Sequence, residues 1–243
     1  MARSLDRRLG ELVAEAWPAP FAQDMGGWLL RHADGVTKRA NSVLPVHDPG
    51  DVDLAIGRAE RFYTELGLPA VFLMDAQARP EGLDGVLERR GYELVEPTIA
   101  MTTDLSGPRE RGGVDVMDAP SREWLDLWWS VDGRHDRRLP MAEKILTGVG
   151  AGYAGVDGLA VGRGVIQGKW LGVYAMAVAP DARRRGLGRR VLRALLGWGS
   201  ERGCERAYLV VVERNGAARA LYESEGFVPA AAYHYRVRNV TAR

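Results

Sequence analysis

The segment from Arg183 to Gly188, Arg-Arg-Arg-Gly-Leu-Gly, constrains the fold of this chain more than any other. An apolar run, Val173 to Pro180, precedes it, and a helical pattern of apolar residues follows from Val191 to Leu196. This order predicts a strand, a glycine-rich turn and a helix. The first backbone N–H groups of such a helix have no partner inside the helix, and its dipole favours negative charge there. With three arginines ahead of the glycines, the segment predicts a phosphate or pyrophosphate site.

Two common phosphate loops do not match this segment. The ATP-type loop needs a lysine and a hydroxyl residue after its last glycine, and neither follows Gly188. The dinucleotide motif needs a third glycine where Val191 stands. The pattern Arg-x-x-Gly-x-Gly, formed by Arg183, Gly186 and Gly188, resembles instead the coenzyme A pyrophosphate loop of the GNAT acetyltransferase superfamily.

A second pattern lies downstream of the loop. The β-branched run Leu209 to Val212 predicts a buried strand, and Asn215 predicts the N-cap of a short helix. That helix carries Leu221 and Tyr222 and ends at Gly226. The order is similar to the GNAT pattern of an asparagine, a short helix with Leu-Tyr, and Gly-Phe. Two independent matches in the right order make the resemblance specific.

The resemblance covers roughly residues 114 to 240 and implies an N-acetyltransferase with acetyl-CoA as co-substrate and no metal ion. It implies that the pyrophosphate is held, mainly by backbone N–H groups, at Arg183, Arg184, Arg185, Gly186, Leu187, Gly188 and Arg189. It also implies that Met176, Ala177 and Val178 pair with the pantetheine amides in the manner of an added strand. Asn215 and Ala218 complete the predicted coenzyme contacts, and Asn215 can hold the coenzyme, cap the helix or do both.

The resemblance assigns to Tyr222 the acid that protonates the leaving thiolate, and the alternative is a tyrosine that only packs its ring. It does not supply the base, because the glutamate that some members carry five residues before the asparagine is Val210 here. Glu213 follows the strand and is a candidate base that acts through a water. The other interpretations are a surface charge at a strand end and a water chain without a dedicated base.

The acceptor site is predicted from the first helices and the last strands of the fold. Its candidate residues are Trp124, Trp128, Trp129, His135, Asp136, Tyr153, Tyr233, His234 and Tyr235, each of which could instead be ordinary packing. We expect the acceptor to be a small-molecule amine. A protein N-terminus or lysine is the alternative acceptor, and a non-catalytic acyl-CoA-binding module is the alternative class of function.

The composition is that of an ordinary globular protein, with 46% hydrophobic and 27% charged residues. The net charge of +1 gives no reason to expect a nucleic-acid or membrane partner. The single cysteine, Cys204, cannot form an intrachain disulfide, as expected in a reducing compartment. Residues 1 to 10 contain no apolar signal segment, and no apolar run reaches membrane-spanning length. We therefore expect a cytoplasmic soluble protein that is a monomer or a homodimer.

The N-terminal half contains a fainter copy of the same elements. The segment Leu83 to Tyr92 matches Ala218 to Phe227, with Gly91 and Gly226 lying 135 positions apart (226−91). A helix that ends at Gly67 and leads into a strand lies upstream of this segment, as the loop helix lies upstream of its own strand. A nearly constant offset over successive elements indicates a duplicated unit, although helix, glycine and strand in that order are common in α/β proteins.

The turn-rich segment in the middle of the chain then predicts three parts: a degenerate GNAT-like domain 1–105, a linker 106–113 and a catalytic GNAT domain 114–243. In the first part, Leu44 to Asp53 stands where the phosphate loop should lie, with three carboxylates and no arginine. These charges would repel coenzyme A. The predicted fold class is α/β, with a mixed, mostly antiparallel GNAT-type sheet flanked by helices and preceded by a degenerate GNAT-like half.

Overall fold

The computed structural model of the protein describes residues 5–107, 109, 111–131 and 137–238. The helices of these residues are α1 Leu9–Ala16, α2 Val52–Glu65, α3 Leu83–Arg89, α4 Arg122–Val131, α5 Leu139–Thr147, α6 Leu187–Glu201 and α7 Gly216–Ser224. The strands are β1 Phe21–Met25, β2 Trp28–His32, β3 Val43–Pro45, β4 Ala70–Asp75, β5 Glu93–Asp104, β6 Val116–Met117, β7 Gly152–Val156, β8 Ala160–Gln167, β9 Trp170–Val178, β10 Arg206–Val212 and β11 Val228–Arg238. Short 3₁₀ turns lie at Lys38–Ala40 and Pro180–Ala182.

All eleven described strands form one sheet in the order β1-β2-β3-β4-β11-β5-β10-β9-β8-β7-β6. Two neighbouring pairs, β3 with β4 and β9 with β10, are parallel, and the others are antiparallel. Strands are exchanged at the centre: β5 belongs to the N-terminal half but pairs with β10, and β11 belongs to the C-terminal half but pairs with β4. The predicted α/β class with a mixed, mostly antiparallel sheet is confirmed.

The exchange of strands is symmetric. At one end of the central pair Thr102 lies opposite Val228, and at the other end Glu93 lies opposite Val237. Thr102 and Val237 are 135 positions apart (237−102), and so are Glu93 and Val228 (228−93). The sheet therefore repeats about an approximate two-fold axis between β5 and β11, which favours the inferred duplication. The division at 106–113 stays a prediction, and in space the two halves share one sheet.

Helices cover both faces of the sheet. On β4, Phe72 packs among residues of α2 and α3, while its neighbours Val71 and Leu73 pack among residues of α1 on the opposite face. On β10, Leu209 packs against α6 and Tyr208 packs in the cluster that contains α1, α4 and α5. Alternate residues of each strand thus bury opposite faces, as the pleat requires. Among the described residues, no helix has both the length and the apolar character that crossing a bilayer demands.

Strand β7 is not evident from the sequence, because its two glycines, in Gly-Tyr-Ala-Gly-Val, are typical of a turn. The structure gives the reason for one of them. A Cβ added at Gly152 would lie 2.7 Å from Cε2 of Trp198, a residue of α6. Glycine at this position therefore lets α6 pack directly on the strand.

Candidate active site

The parallel strands β9 and β10 separate part-way along the sheet. Their pairing ends at Val173 and Leu209, beyond which β9 continues to Val178 and β10 continues to Val212 beside β5. An irregularity in the pairing with β8 includes Ala175, whose φ is +51°. The two strand ends enclose a wedge, and an extended ligand can pair with the exposed edge of β9 inside it.

A cavity of about 400 Å³ occupies this wedge. Four of the predicted site residues line it, namely Met176, Asn215, Ala218 and Tyr222. The Asn215 side chain accepts a hydrogen bond from the Ala218 N–H at 3.1 Å, so the predicted cap of α7 is confirmed. The downstream motif that carries Asn215 and Tyr222 therefore meets the end part of β9 at one site.

The start of α6 has no side-chain cap. Its N-cap is Gly186, in the left-handed conformation with φ +78°, and α6 begins at Leu187 with its first N–H groups uncapped. A Cβ added at Gly188 would lie 3.3 Å from Cγ2 of Val178, so glycine keeps the helix start close to the end of β9. This arrangement offers backbone donors and space to an anion.

The arginines of the loop differ in whether their side chains form ion pairs. Arg183, Arg184 and Arg185 are exposed and form no ion pair with any residue that the structure describes. The guanidinium of Arg189, in contrast, lies 2.9 Å from the carboxylate of Glu225. The first three side chains are therefore free to meet phosphate oxygens, whereas the side chain of Arg189 is held by the end of α7.

Tyr222 is nearly buried and lines the cavity from α7. Its ring packs near Phe227, with centroids 6.1 Å apart. Burial raises the pKa of its hydroxyl to about 12, because the phenolate would lose its hydration. The side chain therefore keeps its proton at neutral pH.

The other predicted site residues do not line the cavity: the phosphate loop from Arg183 to Arg189 lies outside its lining, and so do Val178, Ala177 and Glu213. Glu213 is exposed just after β10, where its backbone N–H donates to the carbonyl of Pro97. Ala177 packs its side chain into the core cluster shared by α1, α4 and α5. The side chain of Glu213 thus has no contact with the cavity, and Ala177 can meet a ligand there only through its backbone.

Three of the predicted acceptor residues, Trp128, Tyr233 and Tyr235, line the cavity. His234 does not, since its Nε2 lies 2.7 Å from Asp84 of α3. Trp124, Trp129 and Tyr153 are packed in the core, and His135 and Asp136 lie outside the described residues.

The N-terminal half supplies the opposite wall of the cavity, which sequence reasoning did not anticipate in detail. Trp17, Lys38, Arg39 and Glu96 all line it. Lys38 Nζ lies 2.7 Å from Oε1 of Glu96, whose φ of +51° marks a bulge where β5 pairs with β11. Pro97 was the available signal for this bulge, because proline inside a strand marks an edge or an irregularity.

Comparison with known proteins identifies the chain. Residues 4–239 match the family described as "Probable histone acetyltransferase Rv0428c C-terminal". The chain is 33% identical over 256 residues to "Uncharacterized N-acetyltransferase YobR" of Bacillus subtilis, covering 96% of this chain and 98% of that protein. The protein belongs to the GNAT superfamily of N-acetyltransferases.

The fold of this GNAT enzyme is also found in solved structures. A GCN5-related N-acetyltransferase from Kribbella flavida aligns with a TM-score of 0.66 at 17% identity, covering 96% of each chain. A tandem GNAT protein from the clavulanic acid biosynthesis pathway aligns with a TM-score of 0.59 at 13% identity, covering 96% of this chain and 88% of that one. The likeness to a tandem protein extends over both halves of the sheet.

GNAT acetyltransferases use acetyl-CoA, and the site of this GNAT protein fits that ligand. The uncapped start of α6 suits a pyrophosphate, and the free edge of β9 suits the amide groups of pantetheine. Tyr222 lines the cavity that borders this strand. Within the described part of the chain, no cluster of three or more His, Cys, Asp or Glu side chains is positioned to hold a metal ion.

Proposed function

We propose that this GNAT enzyme moves the acetyl group of acetyl-CoA to the primary amine of a small molecule. The observation that carries the proposal is the continuity of one cavity. It borders β9 from Val173 to Met176 and reaches Tyr222 and a polar wall from the other half of the chain. The same strand continues to Val178, which lies beside the uncapped start of α6. A ligand lying along β9 would therefore present its reactive end to an acceptor in the same space.

The coenzyme supplies an activated acyl group, and the protein residues hold it and move protons. Backbone N–H groups at Gly186 to Gly188 and the free loop arginines would hold the pyrophosphate. The edge of β9 at Met176 and Val178 would pair with the pantetheine arm. The Tyr222 hydroxyl, which holds its proton at neutral pH, would donate it to the leaving sulfur.

The base in this proposal is Glu96 in place of Glu213. Glu96 lines the cavity, whereas Glu213 is exposed and outside its lining. An acceptor amine is largely protonated at pH 7, so a carboxylate in reach of it both attracts the ammonium form and receives its proton. Lys38 holds one oxygen of Glu96 at 2.7 Å and thereby fixes the carboxylate in the wall.

The size of the cavity favours a small acceptor. Its volume of about 400 Å³ is near the lower end of the range for small-molecule sites, and both halves of the chain wall it in. The family description names a histone acetyltransferase, and this favours a protein N-terminus or lysine as the second candidate. A non-catalytic acyl-CoA-binding module is the third, in which Tyr222 only packs.

Calorimetric titration with acetyl-CoA, followed by an amine panel monitored through release of free thiol, tests the proposal. We expect one site per chain with micromolar affinity, and acceptor-dependent thiol release with small amines. Release with peptide amines alone would favour the second candidate. Binding without release for any amine or peptide would favour the third, and absence of binding would refute the coenzyme assignment.

A further inference from the structure

Arg39 stands out among the residues of the wall that the N-terminal half supplies. It lies in the 3₁₀ turn Lys38–Ala40, which Thr37 caps by accepting from the N–H of Ala40. The hydroxyl of Thr37 also accepts a hydrogen bond at 3.0 Å from the indole N–H of Trp17 in the same wall. Local hydrogen bonds thus fix the backbone from which the Arg39 side chain enters the cavity.

Aromatic rings surround the guanidinium of Arg39. Its Cζ lies 5.2 Å from the ring centroid of Trp17 and 5.7 Å from that of Tyr174, and it lies beside the hydroxyl of Tyr233. Its Nε is buried without a hydrogen-bond partner among the described residues. Glu96, the carboxylate that lines the same cavity, is held by Lys38.

Two fully buried arginines, Arg31 and Arg163, also lack a carboxylate and, like the half-buried Arg39, have guanidinium nitrogens without a partner among the described residues. Arg31 donates to the carbonyl and hydroxyl of Ser42, and Arg163 donates to the carbonyl of Ala16. Neither lines the cavity. Of the three, only Arg39 lines open space, so an anion that enters the cavity can reach its guanidinium and supply the missing counter-charge.

We infer that Arg39 binds a carboxylate of the acceptor, so that the substrate is a small amine that also carries a carboxylate group. The inference rests on the proposed function and names its substrate class. A guanidinium offers two parallel donors to a carboxylate, and the flanking rings keep its plane in place. One free positive charge matches a monovalent carboxylate better than a phosphate dianion, which would call for further cations.

The wall then has complementary charges for both ends of the acceptor. Arg39 takes the carboxylate, and Glu96 faces the ammonium group. Trp17 and Trp128 supply apolar surface for the carbon skeleton between them. An acceptor without a carboxylate would leave the guanidinium desolvated and unpaired, and so would bind more weakly.

Paired probes test this inference: phenylalanine against phenethylamine, leucine against isopentylamine, 4-aminobutyrate against butylamine, and phosphoethanolamine against ethanolamine. Binding is followed by tryptophan fluorescence in the presence of coenzyme A, and turnover by thiol release. For at least one carboxylate pair we expect preference for the carboxylate member by about tenfold or more, the equivalent of one charge-assisted hydrogen bond. Arg39→Gln should abolish the preference while the affinity for acetyl-CoA stays unchanged.

Two variants keep the test independent of folding defects. Arg39→Lys keeps the charge but not the planar fork, and should retain part of the preference. Arg202→Gln removes an exposed arginine that lies over Trp198 outside the cavity, and should leave the preference intact. The preference for carboxylate acceptors is first measured on the wild-type protein, so that measurement does not depend on the folding of any variant.

The outcomes separate this inference from the proposed function. Acetylation of amines without preference for a carboxylate, or a preference that survives Arg39→Gln, overturns the inference and leaves the acetyltransferase proposal standing. Preference for the phosphate pair alone also overturns it. Arg39-dependent binding of carboxylate members without any thiol release supports the inference and refutes the proposed reaction.

Discussion

The two parallel strand pairs of the sheet occupy equivalent positions in the two halves. One pair borders the cavity, and side chains of the protein fill the space at the other. Between β9 and β10 the strand ends enclose the cavity. Between β3 and β4 the only described pairing is Val43 with Phe72, and the protein itself closes the space beyond it. The guanidinium of Arg8 donates to the carbonyls of Pro45 and Val46 on one side and to Asp75 on the other.

The helix starts beside these two wedges differ in the same way. The start of α6 has Gly186 as its N-cap and Gly188 as its second residue. The start of α2 has Asp51 as its N-cap, whose carboxylate accepts from the N–H of Leu54 at 2.9 Å, and Asp53 as its second residue. A carboxylate of the chain thus occupies the position in which α6 can receive a phosphate.

We infer from the difference that the N-terminal half keeps its fold without a ligand at its wedge. Strand carbonyls and helix N–H groups that no longer meet a ligand still need partners when they are buried. In the N-terminal half, Arg8, Asp75 and Asp51 provide them. The sequence indicated that this half does not bind coenzyme A, because its loop has no arginines. The structure adds that side chains of the protein itself make hydrogen bonds at this wedge.

The strongest test gives the start of α6, the proposed phosphate site, the acidic second residue that α2 carries. Gly188→Asp puts at the second residue of α6 the side chain that α2 carries there, and the carboxylate should cap the helix and repel phosphate. We expect acetyl-CoA affinity to fall by more than about 100-fold, or roughly 3 kcal/mol, by calorimetry. Gly188→Ala is the control, since its Cβ would meet only methyl groups at 3.3 and 3.5 Å. Equal loss in both variants would mean that bulk, not charge, controls the site.

The second test reopens the closed wedge. Asp75→Ala leaves Arg8 buried without its carboxylate and should lower the free energy of unfolding by about 3 kcal/mol. The exposed pair of Asp53 with Arg90 is the control, and Asp53→Ala should cost about 0.5 kcal/mol or less. Denaturant unfolding measures both. The coenzyme stoichiometry of Asp75→Ala should stay at one, because Asp51 still caps α2, and a second site would contradict our account of the closure.

The third test concerns Tyr222, which has no tyrosine counterpart in the N-terminal half. An offset of 135 aligns Tyr222 with Leu87 (222−87) and Phe227 with Tyr92 (227−92). Tyr222→Phe should reduce kcat by about 100-fold while the Kd for acetyl-CoA changes little. Because burial raises the pKa of Tyr222 to about 12, wild-type turnover should not lose this acid between pH 7 and 10.

Tyr92→Phe is the matched control for that test. The hydroxyl of Tyr92 donates to Glu60 at 2.9 Å in the N-terminal half, away from the cavity. Its removal should cost about 1 kcal/mol of stability and leave kcat unchanged. If Tyr222→Phe behaves like Tyr92→Phe, the acid assignment is wrong and the tyrosine only packs.

Controls aside, the smallest effect is expected where α3 of the N-terminal half contacts β11 of the C-terminal half. The Arg236 guanidinium of β11, and then His234, hold the pKa of Asp84 on α3 at about 2. Since this pKa lies below its unfolded value, the pair stabilises the protein above about pH 4, and the contribution disappears as the pH falls through 2. Asp84 is 41% exposed, so with solvent screening Asp84→Asn should cost about 1 kcal/mol at pH 7. Unfolding curves of the variant should differ clearly from wild type at pH 7 and much less near pH 2.

Local patterns gave the active helix start and the cap of α7 from the sequence. The glycines at 186 and 188 and the side chain of Asn215 act within a few residues of their own position, so their neighbours in the chain were sufficient to indicate them. The offset of 135 similarly anticipated the repeat in the sheet. These features depend on backbone geometry that short segments encode.

Local sequence patterns could not predict the exchange of β5 and β11 or the cavity wall that results from it. Glu96 enters the cavity only because β5 lies between β11 and β10, far from its neighbours in sequence. Arg39 and Trp17 have no distinguishing local signal, because an arginine in a turn and a buried tryptophan are common. Assigning the base to Glu213 relied on proximity along the chain, whereas strand order determines which carboxylate lines the cavity.

The exchanged strands also determine when the sheet can be completed during synthesis of the chain. β4 has β3 on one side, but its other neighbour is β11, the last of the eleven described strands to leave the ribosome. Until residues 228–238 emerge, the edge of β4 stays unpaired and β5 lacks one of its two partners. We expect the sheet of the nascent N-terminal half to stay incomplete until β11 of the C-terminal half pairs with β4 and β5. Neither half can complete its sheet without the other, because β5 pairs with β10 and β11 pairs with β4.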